Sequence, residues 1–156
     1  MKKLYPLLFI SVLICWGCED KTDDNTPEEV DNTPTEVTLW GVVYSIEDTY
    51  TLDLSNSGLT GEIPPEIDNL TNLTELKLSN NQLTGYIPSQ LGNLTNLTNF
   101  YLNDNQLTGQ IPESICDLNI DWSNNNLFNI TINQLCPPYP SCIEDYVGTQ
   151  GTSDCD

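Results

Sequence analysis

From Leu52 onward the sequence repeats itself every 24 residues. Leu52, Leu76 and Phe100 form one column, followed by Leu54, Leu78 and Leu102, then Leu59, Leu83 and Leu107. Gly61, Gly85 and Gly109 form another, as do Ile63, Ile87 and Ile111, and Pro64, Pro88 and Pro112. A period of this length marks a unit that cannot bury its apolar edge alone and must stack on its copies. A fourth, shorter copy is read at Ile120, Trp122, Asn125 and Leu127, 20 residues after Phe100, Leu102, Asn105 and Leu107. Each period-2 stretch (Leu52-Asp53-Leu54, Leu76-Lys77-Leu78, Phe100-Tyr101-Leu102, Ile120-Asp121-Trp122) points two apolar side chains inward and one residue outward, as a strand does. Asn81, Asn105 and Asn125, with Ser57 in the first copy, follow these strands. There an inward amide can satisfy main-chain groups that a bend leaves unpaired. The next glycine allows a second tight bend, and Ile-Pro fixes an extended or 3₁₀-like return.

The motif Leu-x-x-Leu-x-Leu-x-x-Asn-x-Leu-x-Gly-x-Ile-Pro resembles the leucine-rich repeat in its plant-type 24-residue form, with Leu-Thr-Gly-x-Ile-Pro at 59–64, 83–88 and 107–112. The resemblance runs from about Trp40 to Leu135. It implies an α/β solenoid: a short right-handed coil with a parallel concave β-sheet and a 3₁₀ or irregular convex side. Trp40-Gly41-Val42-Val43-Tyr44 resembles the N-terminal cap of plant-type members, with Tyr44 where the cap cysteine would stand. That end is therefore expected to be held by aromatic packing. Partners of this family usually bind outward residues of the concave strands, which here makes Tyr50, Asp53, Lys77, Tyr101 and Asp121 the candidate partner-binding set for a protein or glycan ligand. Tyr50 and Tyr101 are the expected hot spots, because tyrosine supplies contact area with few rotors to freeze.

Composition narrows the function classes. The 156 residues carry 4 Lys+Arg, all of them Lys, against 23 Asp+Glu, with no His, for a formal charge of -19. Such a chain lacks the basic surface that nucleic acid requires. Without His or Arg there is no imidazole to activate a nucleophile, no guanidinium to clamp phosphate and no His ligand for zinc. No enzyme activity, cofactor or metal is expected. Asp53 and Asp121, three repeats apart, would lie about 14 Å from each other, beyond the roughly 5–9.5 Å that paired glycosidase carboxylates need. The acids of the tail (Glu144, Asp145, Asp154, Asp156) have no calcium-loop signature.

The N-terminus reads as an address. Lys2 and Lys3 precede an apolar run from Leu4 to Trp16, too short to span a bilayer, and the run ends at Gly17-Cys18. This arrangement resembles the lipobox of bacterial lipoproteins, in which the cysteine is lipidated and becomes the new N-terminus; Cys15 and Trp16 depart from the usual residues there. Acyl chains such as palmitate on Cys18 would give a stable membrane anchor. Residues 19–38 hold eight acids and no aromatic residue, and a tandem copy, Asp24-Asn25-Thr26-Pro27 followed by Asp31-Asn32-Thr33-Pro34. Such a segment should be an extended, self-repelling spacer. The expected organisation is a signal peptide (1–17), a lipidated and disordered tether (18–38), an N-terminal cap (39–51), about four repeats (52–135) and a disulfide-bonded cap and tail (136–156). The expected location is the outer membrane or cell surface.

Beyond Cys18 the exported chain would hold Cys116, Cys136, Cys142 and Cys155, an even number that favours two disulfides. Because Ile115-Cys116 and Leu135-Cys136 lie 20 apart, the step of the last repeat, stacked turns are expected to join Cys116 to Cys136 and leave Cys142 for Cys155. Five Asn-x-Thr sequons (Asn69, Asn72, Asn93, Asn96, Asn129) are mostly the repeat text itself, so a structural role suffices for them. The reading favoured is a surface-tethered binding or adhesion module. A passive display protein without a specific ligand, or a secreted inhibitor-like binder, is the alternative.

Overall fold

The computed structural model describes residues 33–153 and 155. The expected signal peptide, Cys18 and the expected tether up to residue 32 lie outside the described residues. Among the described residues ten short strands follow in chain order: β1 (Glu36–Leu39), β2 (Val42–Ser45), β3 (Thr51–Asp53), β4 (Thr60–Gly61), β5 (Glu75–Lys77), β6 (Gln82–Leu83), β7 (Asn99–Tyr101), β8 (Thr108–Gln110), β9 (Phe128–Asn129) and β10 (Gln134–Cys136). Three 3₁₀ turns, Pro65–Asn69, Ser89–Asn93 and Glu113–Asp117, each follow an Ile-Pro pair, as the restricted φ of proline favours.

The strands form a parallel concave sheet in the order β3-β5-β7-β9 and a flank of two parallel pairs, β4-β6 and β8-β10. Leu52, Leu76, Phe100 and Phe128 share one register on the concave sheet. Between the sheet and the 3₁₀ turns lies one continuous core, built from repeat columns such as Leu73/Leu97, Leu83/Leu107 and Ile67/Leu91/Ile115. The leucine-rich repeat solenoid expected from the repeat is therefore the fold observed.

Asparagine side chains bind the turns to one another. Asn81 Nδ2 donates to the carbonyls of Leu54 and Leu78, both at 2.9 Å, while its Oδ1 accepts from the N–H of Ser57 and Leu59 at 3.1 and 3.0 Å. Asn105 repeats this with the carbonyls of Leu78 and Leu102 and the N–H of Leu83. The next member is Asn133, bonded to the carbonyls of Leu102 and Ile130 and to the N–H of Leu107. Asn125, the residue expected in this role, is exposed.

The last step is therefore 28 residues, not 20, and the repeat gains four residues where a loss of four was expected. Left-handed backbone marks the same register, at Asn56, Asn80, Asp104 and Ile132. Chain reach explains the correction. Regular copies use six residues to return from Leu94 to Phe100, whereas Leu118 to Ile120 leaves two, which span only about 7 Å.

This register also overturns the expected disulfide pairing. Cys136 lies in β10 beside Gln110 on the flank, while Cys116 sits in a 3₁₀ turn, so the two are not equivalent positions on stacked turns. The bonds observed are Cys116–Cys142 and Cys136–Cys155, with Cα atoms 5.8 and 5.5 Å apart.

The C-terminal tail proves to be a fifth, degenerate turn. Gln150 Nε2 donates to the carbonyls of Ile130 (3.0 Å) and Val147 (2.7 Å), and its Oε1 accepts from the N–H of Leu135 (3.4 Å). That is the bonding pattern of the ladder asparagines, supplied from 17 residues past Asn133 by a longer amide. Ile143 and Val147 complete its buried side.

At the other end β1 and β2 form an antiparallel hairpin. Both residues of its two-residue turn have positive φ, Trp40 at 47° and Gly41 at 81°, the geometry of a type I′ turn. Val37 and Leu39 alternate into the core, and Trp40 and Tyr44 pack against it, which is the aromatic, disulfide-free cap expected. Strand β1 begins at Glu36, however, so residues 36–38 belong to the folded cap and not to the spacer, because Val37 finds an apolar face to cover.

Candidate functional site: the concave sheet

Alternation on β3, β5 and β7 buries Leu52, Leu76 and Phe100 and turns Asp53, Lys77 and Tyr101 to the opposite face, in register with one another. Lys77 Nζ lies 2.9 Å from the Glu75 carboxylate and 3.8 Å from that of Asp53. The hydrogen bond to Glu75 raises the Lys77 pKa, with the Glu75 and Asp53 charges adding to it. Asp53 is held below the usual carboxylate range first by the Ser55 N–H, 3.1 Å away, then by the Ser55 hydroxyl, with Lys77 contributing less. This end of the sheet is thus a small, solvated charge network whose individual pairs contribute little to stability. Tyr50 stands just before β3 with 56% of its surface exposed, and its carbonyl receives the N–H and hydroxyl of Thr74.

The structure brings Tyr50, Asp53, Lys77 and Tyr101 to this sheet; Asp121 is not part of it. Tyr101 pairs with Asn129, so Asn129 occupies the outward column where Asp121 was expected. Asp121 belongs to the extra segment that delays β9, where its Oδ1 caps the N–H and hydroxyl of Ser123. That segment folds back on the sheet. The Tyr101 hydroxyl donates to the Asn126 carbonyl, and Trp122 packs edge-on to Phe128 at 4.8 Å. Tyr101 is consequently an anchored, half-exposed tyrosine.

Beyond β9 the sheet ends in a cavity of about 460 Å³, lined by Ser123, Asn129, Thr131, Asp145 and Tyr146 among others. Reasoning from the repeat alone missed Asn129, Thr131, Asp145 and Tyr146. The Asn133 match to the ladder column is the signal that would have located the first two. Among the described residues no group of three or more His, Cys, Asp or Glu is placed to hold a metal ion. No helix among them is long and apolar enough to cross a membrane.

Residues 48–107 match the leucine-rich repeat family. A comparison with curated proteins gives no match. Among solved structures, the chain is similar to the Arabidopsis receptor kinase HAESA, solved with the peptide hormone IDA and the co-receptor SERK1, at 36% identity and a TM-score of 0.56, over 64% of this chain and 16% of that one. It is similar to the BIR2 ectodomain from Arabidopsis thaliana at 33% identity and a TM-score of 0.55, over 64% of this chain and 54% of that one. The BIR3–SERK2 complex of the same plant shares the fold, at 23% identity and a TM-score of 0.53 over 83% of this chain and 79% of the other. The chain thus spans about half, or far less, of the length of the first two ectodomains. Ladder, sheet register and matches converge on one fold: the described residues form a leucine-rich repeat solenoid, and residues 48–107 match the leucine-rich repeat family.

Proposed function

We propose that this chain is a non-enzymatic, lipid-anchored surface module that binds a protein or peptide across its concave sheet. The observation that carries the reading is the sheet itself. A row of outward residues (Asp53, Lys77, Tyr101, Asn129) runs across four strands into the end cavity beside Asp145 and Tyr146. An extended segment laid across the strands would meet one outward residue about every 4.8 Å. The cavity offers a carboxylate and an aromatic face to a cationic side chain. HAESA, whose structure contains a bound peptide hormone, supports the choice of ligand class. Two disulfides suit an oxidising compartment, and the Gly17-Cys18 signal with its acidic spacer supplies the anchor and reach.

Photo-crosslinkers placed at Asn99 of the full chain on intact cells test the reading. A discrete adduct that disappears in the Asp53→Ala/Asp145→Ala double variant is expected. An adduct pattern unchanged by those substitutions would favour a passive display protein. Cys18→Ser is expected to move the protein to the soluble fraction, and persistence on the membrane would refute the anchor separately.

A further inference from the structure

On the flank, a second surface stands apart from the concave sheet. The variable residue of the Leu-Thr-Gly-x-Ile-Pro signature is Glu62, Tyr86 and Gln110 in the three copies. The first two of these side chains meet a glycine of the next turn: Glu62 lies over Gly85, and the Tyr86 ring lies over Gly109. A Cβ at Gly109 would stand 2.3 Å from the Tyr86 ring, so that glycine is what allows the ring to lie flat. Tyr86 remains 68% exposed, the most exposed of the large hydrophobic residues among those described.

Beside it is a cavity of about 320 Å³, bounded by Gln110, Gln134 and the Cys136–Cys155 disulfide. This lies at the small end of the range for small-molecule sites, roughly 300–1,000 Å³. Neither glutamine carboxamide, nor the Tyr86 hydroxyl, has a hydrogen-bond partner among the described residues. None of the lining residues is charged at neutral pH.

We infer that this flank cavity binds a neutral saccharide. A pyranose presents C–H groups on one face and hydroxyls around its rim. The C–H face fits a flat, exposed tyrosine ring, and each carboxamide supplies both donors and an acceptor for hydroxyls that themselves donate and accept. The alternatives fit less well. An apolar ligand would desolvate two carboxamides without replacing their bonds, and a charged one would find no counter-charge in the lining. The site is independent of the concave-face reading, since it uses the flank strands β8 and β10 and the residue after the flank glycine of the second copy.

The test is ligand titration of the intact disulfide-bonded chain with cellotetraose, maltotetraose and chitotetraose, followed by saturation transfer and by amide and side-chain NMR shifts. At least one is expected to shift Tyr86, Gln110 and Gln134 with a Kd on the order of 1 mM. Tyr86→Ala should weaken binding about ten-fold, the scale of losing one stacking aromatic, while Tyr86→Trp retains it and Tyr101→Ala leaves it unchanged. The inference fails if none of the three sugars moves those signals at about 10 mM, or if binding survives Tyr86→Ala with the rest of the spectrum native. It also fails if the shifts follow protein concentration in place of sugar and vanish in Tyr86→Ala, which would make the flank a contact between copies of this chain.

Discussion

At the N-terminal end an antiparallel hairpin lays Val37 and Leu39 over the first turn, whereas at the C-terminal end a degenerate turn is tied down by two disulfides and by the Gln150 amide. The difference follows from the direction of the asparagine ladder. Asn81 already satisfies Leu54, Ser57 and Leu59 in the turn before it, so the first turn offers the hairpin mainly apolar surface. The last full turn has no following regular repeat, and its Leu135 N–H would be left unpaired without the Gln150 amide. A greasy lid is sufficient at one end; the other requires a polar partner held in register, and a short tail holds register poorly without cross-links.

Experiments at the two ends can break this contrast. Reducing both disulfides, whose partners are 26 and 19 residues apart, should have the largest effect, about 3 kcal/mol for each loop in the chain-entropy account. Hydrogen exchange should then rise across residues 130–150 while the hairpin keeps its protection; equal loss at both ends would mean the caps are not separate devices. Leu39→Ala, at a fully buried position, should destabilise the N-terminal end by about 2–5 kcal/mol in denaturant melts. Gln150→Ala should cost about 1–3 kcal/mol by orphaning the buried Leu135 N–H; a neutral result would remove the amide from the account of the C-terminal cap. Gly41→Ala forces an L-residue to φ 81° and should cost about 1–2 kcal/mol, read as a lowered denaturation midpoint.

The smallest effect is alkaline. Burial raises the Tyr44 pKa above its usual 10.0, so the folded state prefers the neutral phenol. This contribution is complete below pH 10 and fades as pH rises through the raised folded value. Tyr44→Phe should flatten that part of the stability profile, and an unchanged profile would show that Tyr44 is not the group responsible.

Much of this fold could be read from three regular copies, because their leucine, glycine and proline columns state both the turn and its return. The last repeat misled for a physical reason. Ile120-Asp121-Trp122-Ser123-Asn124-Asn125-Asn126-Leu127 and Phe128-Asn129-Ile130-Thr131-Ile132-Asn133-Gln134-Leu135 both satisfy the strand-and-ladder pattern. Only the chain length needed to cross the coil separates them. That single register decided the place of Asp121 and the partners of Cys116 and Cys136. Gln150 was not legible as a ladder residue, since a longer amide on a shorter turn keeps the hydrogen bonds and loses the spacing. Tyr50, Asp53, Lys77 and Tyr101 were legible on the sheet because they belong to the regular copies or stand next to them; the cavity beyond them is built by irregular segments.

The ladder also gives the coil a temporal order. During synthesis each newly made turn remains unfinished until the chain has grown far enough to deliver the next amide, and the closure of the last repeat waits for Gln150, 17 residues after Asn133. A chain stopped early at any repeat would carry an open turn at its growing end. Whole repeats can be inserted or removed between the caps because every amide serves only its immediate neighbour, while the terminating glutamine has to follow whichever repeat comes last.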